Sequence, residues 1–318
     1  MTTSGVAVVG CGYWGKNLVR NFAELGALKA VVDPSPAAAE AQAKLYGVKA
    51  ASYDEVLADP EIAGVAIAAP AELHADLALA AFAAGKHVFV EKPIALTLED
   101  GERMKAVANA AGKALMVGHL LQYHPAFVTL LQAVRDGVLG PLRYAYSHRL
   151  SLGKFRVEED VNWSFAPHDV SMLLALFGEE PTSVKGAGGA YVTPGIEDEY
   201  RLDMTFAGGG RAHVFASWLH PFKEHRLVVV GEKAMAVFED SATKPEEKLR
   251  LYRHTVDASG RAPEPKKADA EPMPYPADEP LRAECRHFLE ACAGATVRTD
   301  ADEALAVLRV LVASDAAQ

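Results

Sequence analysis

Gly5-Val-Ala-Val-Val-Gly-Cys-Gly-Tyr-Trp-Gly15 decides the fold. Its first five residues form a continuous apolar run, the pattern of a strand buried on both faces of a parallel sheet. The run passes without a spacer into a G-x-G-x-x-G turn, and residues 16–25 carry amphipathic helical spacing up to Gly26. Each glycine has a separate reason to be there. Gly10 allows the tight turn, Gly12 lets the backbone approach a pyrophosphate, and Gly15 lets the helix pack closely on the strand, with its free N–H groups and positive dipole end facing the phosphates. A second strand closes at Val31-Val32-Asp33, and Asp33 stands 18 positions after Gly15, where an acidic residue meets an adenosine ribose. Pro34-Ser-Pro36 follows with no adjacent arginine, so the pattern predicts NAD rather than NADP: a 2′-phosphate would meet a carboxylate.

Strands and helices keep alternating outward from this unit, as a doubly wound Rossmann sheet requires. Gly64-Val-Ala-Ile-Ala-Ala-Pro70 reads as a buried strand whose exit delivers Pro70 and then His74, near the start of a helix over 72–85. His87-Val-Phe-Val-Glu-Lys-Pro93 is the next strand. Glu91 and Lys92 are the first polar groups at its carboxyl end, the edge where open α/β sheets bind ligands. A strand-end ion pair beside a loop proline accounts for the same residues, and the prolyl bond at Pro93 is a candidate for the cis form. Thr97 caps a helix that Gly112 ends, and 114–118 closes a first domain placed at residues 1–120, leaving 121–318 as the second.

Composition bounds the partners. The 318 residues, 50% hydrophobic and 23% charged, can bury two sizeable cores, and a net charge of −10 without a long basic run argues against nucleic acid. Cys11, Cys285 and Cys292 lack metal-ligand spacing, and so sparse and odd a set suits reduced thiols in a cytoplasm. No basic leader opens the chain and no apolar run reaches the roughly 18 residues of a membrane span, so neither export nor a membrane is expected.

The second half carries three polar groupings. His119, Gln122, Tyr123 and His124 fall within six residues. A metal would want three or four convergent ligands, so no metal is expected there. Residues 142–151 alternate like a strand, and Arg149, Lys154 and Arg156 form a basic group that could hold a diphosphate or stand as a solvated edge. In Val161-Asn-Trp-Ser-Phe-Ala-Pro-His168, Pro167 suits a first helical position, which puts His168 in a first turn where the dipole favours the neutral imidazole. Short strands joined by turns over 183–240 predict an antiparallel sheet, a proline-rich strap follows over 254–280, and two helices close the chain.

Gly10-Cys-Gly-Tyr-Trp-Gly15, Asp33, Ala69-Pro-Ala-Glu-Leu-His74, Glu91-Lys-Pro93 and Trp163-Ser-Phe-Ala-Pro-His168, in this order, resemble the family of glucose-fructose oxidoreductase, inositol dehydrogenase and MocA over essentially the whole chain. The resemblance implies a Rossmann domain followed by an α/β domain with a large, mostly antiparallel open sheet, and a homodimer or homotetramer. It carries over Lys92 and His168 as catalytic, Tyr13, Trp14, Pro70, His74, Glu91, Lys92 and Trp163 as cofactor-binding, and Lys92, His119, Tyr123, Arg149, Lys154, Asn162 and His168 as substrate-binding. One position departs from the pattern. Family members often have aspartate four residues before the histidine, where this chain has Ser164, which leaves Asn162, Asp169 or the substrate to orient the proton path. The branch most resembled oxidises C3 of UDP-N-acetylglucosamine or its uronic acid. A dehydrogenase of free sugars or inositols, and a non-catalytic NAD-binding regulator, are the alternatives.

Overall fold

A computed structural model describes residues 5–315. The chain divides into two compact units: one runs up to Tyr123 and takes in Asp278–Leu308, and the other comprises His124–Ala277 and the chain from Arg309 on. The sequence, read in order, puts everything after residue 120 in the second half. In the structure the chain comes back to the first unit.

That unit is a parallel sheet built from β1 (Gly5–Val9), β2 (Leu28–Val32), β3 (Lys49–Ala50), β4 (Ile62–Ile67), β5 (His87–Val90) and β6 (Leu115–Val117), in the order β3-β2-β1-β4-β5-β6. Between them run α1 (Gly15–Glu24), α2 (Pro36–Tyr46), α3 (Tyr53–Ala58), α4 (His74–Ala83) and α5 (Leu98–Ala111). The order reverses between β1 and β4, which opens a crevice at their carboxyl ends. Val6, Val8, Ala66 and Phe89 are fully buried, as the unbroken apolar runs require. Gly47 and Gly112 end α2 and α5 in the left-handed region.

The second unit opens with α6 (Pro125–Arg135), β7 (Leu142–Leu152) and α7 (Val161–Phe177). It continues through β8 (Ser183–Gly189), β9 (Glu199–Thr205), β10 (Arg211–Ser217), β11 (Leu219–Gly231) and β12 (Met235–Glu239), then a short α8 (Pro245–Lys248), β13 (Leu249–Tyr252), a β14–β15 hairpin (Thr255–Asp257 and Glu264–Lys266) and β16 (Ala270–Pro272). Eight strands form one sheet, β16-β13-β12-β11-β7-β10-β9-β8, antiparallel throughout except where β10 joins β7. The alternation is clean: Tyr200, Leu202 and Met204 of β9, Val214 and Ala216 of β10 and Leu227 and Val229 of β11 are buried, and their neighbours are less so. α7 packs across β7, β9 and β10.

The chain then returns as α9 (Pro280–Cys292) and α10 (Ala301–Asp315), the latter counting with the first unit as far as Leu308. α9 is fixed by Phe288, fully buried with its ring 6.1 Å from Phe22 and 5.9 Å from Phe89. Gly64 makes room for it, since a Cβ there would lie 2.8 Å from Phe288. At the entry to α9, Arg20 of α1 pairs with Glu279. Among the described residues no helix is long and apolar enough to cross a membrane.

Candidate active site

Because the first sheet is wholly parallel, the segments leaving β1, β2, β4, β5 and β6 all emerge along one edge. The backbone ties them together there: Gly10 N–H bonds Val32 O (2.8 Å), Ala68 N–H bonds Val9 O (2.7 Å), Glu91 N–H bonds Ile67 O (2.9 Å) and Gly118 N–H bonds Val90 O (2.8 Å). Gly10 has φ +94°, and a Cβ at Gly15 would lie 1.9 Å from the Gly10 carbonyl, so the turn admits no side chain at either place. At Gly12 a Cβ would meet nothing within 4 Å. That space lies at the start of α1, where an anion is favoured. Asp33 closes the next corner, accepting the Cys11 N–H (2.7 Å) on one oxygen and the Ser35 N–H (2.8 Å) on the other. Tyr13 is 87% exposed, beside this turn.

Lys92 leaves the end of β5 in a cis peptide bond to Pro93. Its neighbour Glu91 accepts the Trp14 indole N–H (2.5 Å), and the other carboxylate oxygen lies so close to Gly118 that a Cβ there would be 2.7 Å away. Burial pushes the Glu91 carboxyl up to about 7, while the Trp14 bond and the charges of Lys92 and His119 pull it down. Glu284 of α9 is fully buried, with no hydrogen-bond partner for either oxygen among the described residues, and burial and the Glu91 charge hold it well above the usual carboxylate range. His74, 1% exposed, brings its ring nitrogens to Pro93 O (2.8 Å) and Ala69 O (2.9 Å). Burial lowers its pKa, and a neutral ring carries one N–H, so it donates to one of these two carbonyls while its other nitrogen lies against the second. Pro70 lies in the loop after β4, at the head of a 3-10 turn over Ala71–Leu73. His119 and Tyr123 each have a partner in the segment that follows α9. His119 Nδ1 meets Glu303 (2.6 Å) and the Tyr123 hydroxyl meets Thr299 (3.0 Å), both within this unit, so both brace its returning C-terminal segment.

In the second unit His168 is half-buried on α7. The helix begins at Val161, capped by Asp160, whose side chain accepts the Trp163 N–H (3.0 Å). Pro167 therefore lies inside the helix, and His168 sits in its third turn, not in a first turn under the dipole. The helix dipole therefore does not favour a neutral His168, since its effect fades beyond the first turn. Asn162 and Trp163 face the chain's last helical turn. Asn162, fully buried, donates to Ser314 (3.1 Å) and Asp315 (3.2 Å), and the Trp163 indole donates to Asp315 (2.7 Å).

The basic group does not assemble as one. Arg149, 8% exposed, donates from Nε to Asp169 (2.5 Å) and from Nη2 to the same carboxylate (3.1 Å). Asp169, fully buried, also accepts the Ser147 hydroxyl (2.5 Å). The bidentate fork expected for a phosphate is thus spent on a buried carboxylate. Lys154 and Arg156 lie exposed beyond β7, with Arg156 paired to Glu159 (2.7 Å).

Comparison with known proteins adds the lineage. Residues 4–119 match the model of an oxidoreductase family with an NAD-binding Rossmann fold, Gfo/Idh/MocA, and residues 127–237 match that family's C-terminal domain. The chain belongs to the Gfo/Idh/MocA oxidoreductase family. It is 35% identical over 235 residues to inositol 2-dehydrogenase of Rhizobium meliloti, spanning 67% of this chain and 68% of that protein. It is 32% identical over 212 residues to UDP-N-acetylglucosamine 3-dehydrogenase of Acidithiobacillus ferrooxidans, spanning 66% of each. A solved structure of the latter enzyme superposes with TM-score 0.84 at 27% identity, covering 100% of this chain and 99% of that one. A crystal structure from Sinorhizobium meliloti 1021, described as a putative myo-inositol dehydrogenase, superposes with TM-score 0.83 at 25% identity, covering 99% of this chain and 97% of that one.

The first unit is therefore the NAD-binding domain of a Gfo/Idh/MocA oxidoreductase, and its geometry fits the cofactor: open space at Gly12, a helix start, and a fixed carboxylate at Asp33. Reasoning from sequence missed Asp169 as the partner of Arg149, Glu284 behind Glu91, and Asp315 as the acceptor for Trp163. Only the first left a local signal, since Ser147 and Arg149 share a strand face.

Proposed function

We propose that the protein is an NAD-dependent dehydrogenase that oxidises a secondary hydroxyl of a sugar. The observation that carries this reading is Lys92, set at the carboxyl end of β5 on the same sheet edge as the glycine turn and Asp33. Bound NAD supplies the hydride acceptor. His168 takes the hydroxyl proton, while Lys92 hydrogen-bonds the developing alkoxide and Glu91 sets the lysine's surroundings. Exchange of those two roles is the alternative assignment.

The substrate class proposed is a UDP-N-acetylhexosamine or its uronate, oxidised at C3. The similarity to the Acidithiobacillus enzyme supports it, together with Lys154, which is exposed where Arg149 is buried. A second reading, a free inositol or sugar, is favoured by the occupied Arg149 fork and by the similarity to inositol dehydrogenase. The homodimer or homotetramer that the resemblance implies belongs to the same proposal. Purified protein with NAD should reduce it in the presence of UDP-N-acetylglucosamine, its uronate, myo-inositol or glucose, followed by nicotinamide absorbance. Preference for the UDP sugars supports the first reading, preference for myo-inositol the second. No turnover with any of the four would sink the dehydrogenase assignment in favour of a non-catalytic NAD-binding regulator.

A further inference from the structure

α7 is weakened one residue before His168. Pro167 has no N–H to give to the Trp163 carbonyl four residues back, and its ring crowds that turn. An interior proline costs a helix about 3 kcal/mol when nothing offsets it. The turn nonetheless continues to Phe177.

Directly after His168, Asp169 reaches out of the helix to β7 and takes three side-chain hydrogen bonds, one from Ser147 and two from Arg149. Arg149 is in turn held from the other side: its Nη1 lies 3.4 Å from His225 Nδ1. A guanidinium can only donate, so that histidine nitrogen accepts. Asp240 lies 3.9 Å from the same nitrogen, beyond hydrogen-bond reach. Phe165, on the turn before His168, packs its ring edge against His225 at 6.5 Å. The residues flanking His168 in α7 are thus tied to β7 and β11 through one buried network.

We propose that Asp169 and Arg149 are positioning residues for His168: the buried pair fixes the register and direction of the proline-interrupted turn that presents the imidazole. The proposal rests on the dehydrogenase reading for its catalytic consequence, and on the network alone for its structural one. Arg149, which the sequence suggests as a phosphate ligand, acts here through Asp169 on the proton acceptor, and the ion pair is kept for geometry. Its stability value is small, because burying two charges offsets much of their attraction.

The test uses the full chain saturated with NAD. Asp169→Asn alone strands a buried guanidinium and can fail to fold, so the decisive variant is the double Arg149→Met, Asp169→Asn, which removes both charges and keeps the volumes. It should fold and bind NAD as the unmodified protein does. Its kcat should fall about tenfold to a hundredfold, the scale of a misplaced catalytic group, with KM changing much less. Arg149→Lys, which keeps the charge but not the fork, should fall between the two. Independently of turnover, nuclear magnetic resonance of the His168 imidazole should show one narrow set of signals in the unmodified protein and broadened or doubled signals in the double variant. A folded double variant with unchanged kcat overturns the proposal, and so do unchanged His168 signals. If the unmodified protein oxidises none of the sugars, the dehydrogenase reading falls while the resonance measurement still decides this one.

Discussion

Replacing Glu91 by Gln should change how stability depends on pH, and its size follows from the site. The Glu91 carboxyl titrates near 7 in the folded protein, where burial is the largest cause, against 4.5 for an ordinary glutamate. A folded pKa above the unfolded one means that the stability is fully present below about 4.5 and is lost as pH rises through about 7. At about 1.4 kcal/mol per tenfold change, the interval corresponds to about 3 kcal/mol, and because Glu91 is half-buried, not sealed, solvent screening reduces this to about 2 kcal/mol. Glutamine keeps the acceptor for the Trp14 indole and cannot ionise. Glu91→Gln should therefore melt close to the unmodified protein at pH 5 and about 4–8 °C higher at pH 8, taking about 2–4 °C per kcal/mol for a unit of this size. Glu284→Gln should move in the same direction, because its carboxyl is held up by burial and by Glu91. Calorimetric unfolding without NAD from pH 5 to 8 is the assay. Melting curves for Glu91→Gln that run parallel to those of the unmodified protein across that range would refute the reasoning.

Asp33→Ser should narrow the preference for NAD over NADP, because it removes the carboxylate that a 2′-phosphate would meet; calorimetric titration with both dinucleotides measures it, and an unmodified protein that binds NADP more tightly contradicts the assignment. Phe288→Ala should destabilise the first unit by about 3–5 kcal/mol, the usual range for emptying a buried phenylalanine site, as read from urea unfolding. A loss below about 1 kcal/mol would mean that α9 is held mainly by Arg20 and Glu279.

What could be read from the sequence was what is local. The strand, glycine turn and helix over residues 5–24, the acidic residue closing β2 and the polar exit of β5 each follow from neighbours along the chain, and the structure places them on one sheet edge. Pro167 misled because proline at a helix start is the commoner case. The competing signal was Asp160, a capping residue directly before the helix, and its side chain makes the cap. Arg149 looked like a ligand for anions because sequence shows charge but not partners. Asp169, 20 residues away, becomes its partner only when α7 packs on β7. The return of α9 to the first unit depends on Phe288 meeting Phe22 and Phe89, contacts between residues far apart in the chain that no periodicity records.

We propose above all that Lys92 and His168 both act on a sugar hydroxyl in the presence of bound NAD. The most direct measurement is turnover of the best sugar substrate by Lys92→Ala and by His168→Ala, with NAD affinity determined on the same preparations by calorimetry. Each variant should lose about a hundredfold or more in kcat, the scale of a positioned acid or base, while NAD affinity stays within about twofold. Near-normal turnover in folded His168→Ala would remove that residue from the chemistry and leave Lys92 as the proton acceptor, and near-normal turnover in both would contradict the account.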